Sequence, residues 1–171
     1  ELDESDGSFL KVQPTYSIIT NIDREHMDYY KSMKKLLNLF REYINRVPSF
    51  GKSFICIDDK NNTKLIKSLK IKNYNTYGIH KKSNFNIIRP FQTKHWSKFD
   101  LVVNLPGKKT FTINNIKIPL IGLHNIRNTT ASIAVAISLG IPINKIKDGL
   151  RSFEGVQRRF NKIFEYKGAS F

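Results

Sequence analysis

The run Tyr16-Ser17-Ile18-Ile19-Thr20 is short, apolar and rich in β-branched residues, and it stops abruptly at a polar stretch, Asn21 to Tyr30. A buried strand with that ending delivers polar side chains to the edge of a sheet. In open α/β sheets, the carboxyl edge is where ligands bind. Downstream, Met33, Leu36, Leu37, Phe40 and Ile44 recur at a helical spacing that lays one face on a sheet, while Lys34, Lys35, Arg41 and Glu42 take the other face. After the turn Pro48-Ser49-Phe50-Gly51, Ser53 to Ile57 reads as the next strand. Asp58 to Asn62 then starts a helix through Leu69. Strands alternating with helices predict an α/β fold with a mostly parallel sheet flanked by helices.

From Tyr74 the texture changes to short alternating runs, Asn75 to Ile79, Phe85 to Phe91, Lys98 to Leu105, Thr110 to Ile113 and Ile116 to Leu120. They predict a small antiparallel section, with Asn114-Asn115 as a hairpin turn because Asn tolerates positive φ. Gly122 opens a different element, in which His124 to Asn128 leads into a helix over Thr129 to Leu139 that Gly140 and Pro142 stop. Ile143 to Phe153 reads as a second short helix, ended by Gly155.

At 171 residues the chain can bury one core, and 40% hydrophobic with 25% charged residues is ordinary for a soluble globular protein. Its apolar runs fall well short of the roughly 20 residues that cross a bilayer. The first residue is neither Met nor the start of a signal peptide, so the sequence reads as a piece of something longer. One cysteine, Cys56, inside an apolar strand, fits a buried thiol in a reducing, cytoplasmic compartment. The net charge of +15 is an electrostatic footprint that nucleic-acid binders share. Here the lysines are scattered, and they accompany heavy use of Asn and Ile, as an A/T-rich coding bias produces, so no nucleic-acid partner is expected.

Residue chemistry singles out a few positions. Glu1, Asp3, Glu4 and Asp6 crowd carboxylates together, which either marks a solvated acidic loop or suits a cation such as Mg²⁺ with oxygen ligands. His26 offers an imidazole at the sheet edge. Asn125 and Asn128 share a helical face and suit either helix capping or recognition of an adenine edge. Arg158 and Arg159 offer fixed positive charge for phosphate. Gly51-Lys52-Ser53 is not the end of a phosphate-binding loop, because position 46, where the first glycine belongs, is Arg46. Trp96, His80 and His95 read as packing or solvent-facing residues.

The stretch Thr20 to Asp28, preceded by Glu1-Leu2-Asp3-Glu4-Ser5-Asp6-Gly7-Ser8-Phe9-Leu10, resembles the central ATPase domain of the Mur ligases. Gly122 to Asn128 is similar to that family's adenine-binding segment, and Phe153 to Phe160 to the segment leading into its third domain. The resemblance implies a central domain over 1–155, lacking its P-loop part, and a linker with the start of a third domain over 156–171. It implies ATP and Mg²⁺ as cofactors, with Glu1 and His26 on the metal, His124, Asn125 and Asn128 on adenine, and Arg159 rather than Arg158 on phosphate. Glu1, His26 and Arg159 are then the catalytic set, and a piece without a P-loop is not expected to turn over ATP by itself. Phe40 falls where several sister ligases place a carbamylated lysine. That departure and the Asp3 to Gly7 run fit the branch that joins L-alanine to UDP-N-acetylmuramate better than muropeptide-recycling ligases or folylpolyglutamate synthetases. A basic nucleic-acid-binding module and an inactive gene remnant are the other readings.

Overall fold

The computed structural model describes residues 2–70 and 73–153, with the backbone of 165–166 and 169–170. A 3₁₀ turn, Ser8–Lys11, precedes β1 (Tyr16–Ile19), α1 (Met27–Tyr30), α2 (Met33–Asn45), β2 (Lys52–Cys56) and α3 (Lys60–Ser68). There follow β3 (Tyr74–Gly78), β4 (Phe85–Gln92), β5 (Ser97–Val103), β6 (Phe111–Ile118), α4 (Leu123–Ser138) and α5 (Ile143–Arg151). A two-residue ladder pairs β7 (Glu165–Tyr166) with β8 (Ala169–Ser170).

The strands form a six-stranded sheet in chain order, β1 to β6. β1 to β4 run parallel, and β4, β5 and β6 are antiparallel. β2 is covered on both faces. Phe54 and Cys56 pack with Tyr77, Phe85 and Leu101 in the core beneath α4, and Ile55 packs with Ile19, Leu36 and Leu65 beneath α2 and α3. A strand buried on both faces reads as an unbroken apolar run, which is why Ser53 to Ile57 was legible. The helices start where their caps dictate. Ser32 Oγ accepts from Lys35 N at 3.2 Å, and Asp59 Oδ1 accepts from Asn62 N at 2.7 Å.

Two expectations need correction. Asn75 to Ile79 is not in the antiparallel section, because β3 pairs parallel with both β2 and β4. Parallel neighbours usually need a long crossover. Here β4 overlaps β3 only at Tyr77↔Phe85 and Gly78↔Asn86 and then runs past its end, so a short loop suffices. Asn114-Asn115 is not a hairpin turn either, since Phe111–Ile118 is one strand. Asn115 does take positive φ, at 58°, but in a bulge opposite β5, where its N–H donates to Asp100 Oδ1 at 2.6 Å. A bulge and a tight turn make the same demand on the residue, and only the partner strand tells them apart.

Gly51-Lys52-Ser53 lies at the amino end of β2, the edge opposite the polar loop, and Ser53 Oγ is buried against Ser17 Oγ at 2.8 Å. Its role is strand pairing. At the other edge, Asn62 is fully buried, and its Nδ2 donates to Thr20 O at 3.1 Å and Cys56 O at 2.9 Å, tying the carboxyl ends of β1 and β2 together. Asn62→Ala leaves those carbonyls without their donor and is expected to cost about 2 kcal/mol. Chemical denaturation should show it as a lower midpoint with an unchanged slope.

Candidate functional site

The site lies at the carboxyl end of β1, which Asn62 ties to the carboxyl end of β2. From β1 the chain runs through Thr20 to His26 before α1, and this loop is fastened from below. Asn61 Nδ2 donates to Ile22 O at 2.6 Å, and Tyr77 Oη donates to Ile19 O at 3.3 Å from the buried core. Burial pushes the Tyr77 phenol far above its ordinary range, so it stays a neutral donor. His26 takes a left-handed conformation, φ 53°, at the start of α1. Asn21 Nδ2 donates to Asp23 Oδ2 at 2.7 Å within the loop.

The segment before β1 closes over this loop. Buried Tyr30 donates its hydroxyl to Glu4 O and so sets Glu4 beside α1. Donor atoms of Glu4, Glu25 and His26 lie within 4.8 Å of one another. The same residues line a cavity of about 80 Å³ with Asn21, Ile22 and Phe40. Two carboxylates and one imidazole are a donor set that suits a hard divalent cation such as Mg²⁺ or Mn²⁺.

The acidic run thus separates into different jobs. Asp3 Oδ1 accepts from Ser5 N and Asp6 Oδ1 from Ser8 N, each at 2.8 Å, so both fix turns. Hydrogen bonding from Ser5, its amide foremost, holds the Asp3 carboxyl below the usual carboxylate range, and the Ser8 side chain followed by its amide does the same for Asp6. Glu4 is the member that faces His26. Glu25 belongs to the cluster too, although the sequence reading gave it no role; its place beside His26 in a loop at a strand end was the available signal. Glu1, Arg158 and Arg159 lie outside the described residues.

The second half of the site comes from α4, which begins at Leu123 rather than Thr129, so His124, Asn125 and Asn128 stand in its first turns. Asn125 Nδ2 donates to Ile121 O at 2.7 Å, which spends part of its amide on the helix start. Gly122, φ 97°, allows the His124 imidazole to fold back so closely that a Cβ there would sit 2.6 Å from the ring. Asn128 is exposed and lines a cleft of about 790 Å³ together with Glu4, Ile18, Thr20 and Asn21. Residues distant in sequence therefore meet along one cleft, with the carboxylate–imidazole cluster next to it. Phe40 borders both cavities and packs on Phe9 at 5.1 Å between ring centroids.

A family model described as the Mur ligase middle domain matches residues 1–136. The chain belongs to the Mur ligase family. Over 171 residues it is 64% identical to the UDP-N-acetylmuramate–L-alanine ligase of Pelagibacter ubique, covering 100% of this chain and 37% of that relative. The corresponding ligase of Brachyspira hyodysenteriae is 42% identical, over 96% of this chain and 35% of its own length. Among solved structures, the UDP-N-acetylmuramate–alanine ligase of Thermotoga maritima superposes with a TM-score of 0.78 at 27% identity, covering 98% of this chain and 35% of that one. A D-alanyl-D-alanyl-adding ligase from Acinetobacter baumannii shares the fold, with a TM-score of 0.73 at 21% identity over 96% of this chain and 34% of that one. The chain thus spans little more than a third of the Mur ligases it matches. Among the described residues, no helix is long and apolar enough to cross a membrane.

Proposed function

We propose that this chain is the Mg²⁺- and adenine-holding part of an ATP-dependent ligase that joins L-alanine to UDP-N-acetylmuramate. The observation that carries this reading is the match over the whole chain to a relative of that name at 64% identity. The cluster of Glu4, Glu25 and His26 at the carboxyl edge supports its metal half.

In the whole enzyme the lactyl carboxylate would attack the γ-phosphorus of ATP with departure of ADP. The amine of L-alanine would then displace phosphate from the acyl phosphate. Both reactants of the first step are anionic, so the protein's work is positioning and charge neutralisation. His26, Glu4 and Glu25, with Glu1 by family resemblance, would hold Mg²⁺, whose charge offsets that of the phosphates. Asn128, with Asn125 and His124, would hold the adenine edge, and Arg159 would contact phosphate. The reaction belongs in the cytoplasm, in keeping with the free, buried Cys56, whose thiol burial pushes up from its ordinary range.

The test is a chimera of the Pelagibacter ubique ligase in which residues 1–171 replace their counterpart. It should form ADP over many turnovers only when UDP-N-acetylmuramate, L-alanine and Mg²⁺ are all present. A folded chimera that forms none, or that turns over repeatedly without L-alanine, would refute the reading. In the same chimera, Asn128→Ala should raise KM for ATP about tenfold, as loss of one amide contact does, and leave kcat within about twofold. Initial rates against ATP concentration measure it.

A further inference from the structure

An ion pair that the proposed chemistry does not use spans the distance between the strand ends and the start of α4. Asp58, two residues past the end of β2, accepts from Arg127 Nε at 2.7 Å through Oδ2. The same carboxylate also accepts from Ile79 N at 3.0 Å and from His80 N at 3.1 Å, just past the end of β3. Gly78 makes this approach possible: its φ is 144°, and a Cβ there would lie 2.5 Å from Asp58 Oδ1. The Asp58 side chain is 11% exposed and that of Arg127 is 32% exposed. The anion is thus pinned by the β3 end, and the guanidinium reaches a fixed point.

Arg127 stands between Asn125 and Asn128 on the first turns of α4. The neighbouring hold on this turn is Gly122 N, which donates to Gln92 Oε1 at 3.1 Å. Further along, Ile126, Thr130 and Ala134 are buried in the core and keep α4 docked whatever happens at Arg127. Loss of the ion pair therefore loosens the orientation of the first turn while the helix stays in place.

We propose that Arg127 and Asp58 are positioning residues for nucleotide binding. Together they fix the α4 first turn, with Asn128, against the carboxyl ends of β2 and β3, beside the β1 end that carries the His26 loop. This rests on the assignment of Asn128 to adenine. A charge-assisted bond to a pre-fixed carboxylate is directional, and a displacement of the order of 1 Å in a positioning element can cost up to about a hundredfold in the step it serves.

The experiment uses the full-length chimera and three variants, Arg127→Leu, Arg127→Lys and Asn128→Ala, each assayed for kcat and for the KM of all three substrates. Arg127→Leu should raise KM for ATP about tenfold, with kcat within about twofold and the other KM values unchanged. Arg127→Lys keeps a cation but loses the planar geometry and should raise it about threefold. Should Arg127→Leu fail to fold, the Lys variant decides. A KM for ATP within about twofold of the parent overturns the proposal, as does a fall in kcat that merely follows the folded fraction. If Asn128→Ala raises KM for ATP while the Arg127 variants do not, nucleotide binding at α4 stands and the positioning role falls. If Asn128→Ala has no effect either, the adenine assignment falls and takes the proposal with it.

Discussion

His26→Ala in the full-length chimera is expected to lower turnover about a hundredfold or more at limiting Mg²⁺, the scale of losing one group that organises transition-state charge. The imidazole lies within 4.8 Å of Glu4 and Glu25 donor atoms. Without it, only the carboxylates remain to hold the cation, so affinity falls and part of the activity should return as Mg²⁺ is raised. The fold should tolerate the change. His26 sits at the start of a four-residue helix with no side-chain cap hydrogen bond, and its φ of 53° is unfavourable for His and Ala alike. The expected stability loss is no more than about 1 kcal/mol. Initial rates across a Mg²⁺ titration measure it, and a curve superimposable on the parent's would remove His26 from the metal site.

Gly51→Ala is expected to be the most damaging single methyl group in the described fold. A Cβ at Gly51 would lie 1.9 Å from Thr15 O and 3.1 Å from Val47 Cγ1. Thr15 O already accepts from Lys52 N at 3.0 Å, just before the first rung of the β1–β2 ladder, Tyr16↔Lys52. The two backbones therefore have to separate where their pairing begins, and buried Ser17 and Ser53 would lose their shared hydrogen bond. Overpacking against backbone cannot be relieved by a rotamer change, so a loss of about 3 kcal/mol or more is expected. Calorimetry of the chimera and its variant checks it, and an unchanged unfolding temperature would show that the strand ends can move apart freely.

The parallel half of the fold was legible because its signals are local. β1 and β2 are apolar runs with abrupt ends, and α2 carries an apolar stripe that places Leu36, Tyr43 and Ile44 in the core. The errors came where the partner strand decides. Asn115 meets the backbone demand of a turn, yet the strand opposite makes it a bulge. Asn75 to Ile79 looks like its antiparallel neighbours but is drawn into the parallel ladder of β2. The site shows the same division. His26 and Asn128 could be named from motifs, but the sorting of the acidic run needed the fold. Asp3 and Asp6 are consumed by local turns, and Tyr30 carries Glu4 to the imidazole. Asp58 and Arg127 are 69 positions apart and gave no sequence signal at all.

If His26 binds the metal that serves ATP, its ring nitrogen must couple to a paramagnetic ion held in that place. The most direct measurement is electron spin echo envelope modulation on the chimera loaded with Mn²⁺ and ATP, beside its His26→Ala variant. Modulation from one directly bound imidazole nitrogen is expected in the parent and its loss in the variant, with Mn²⁺ still held through carboxylate and phosphate oxygens. The same spectrum in both proteins would contradict it.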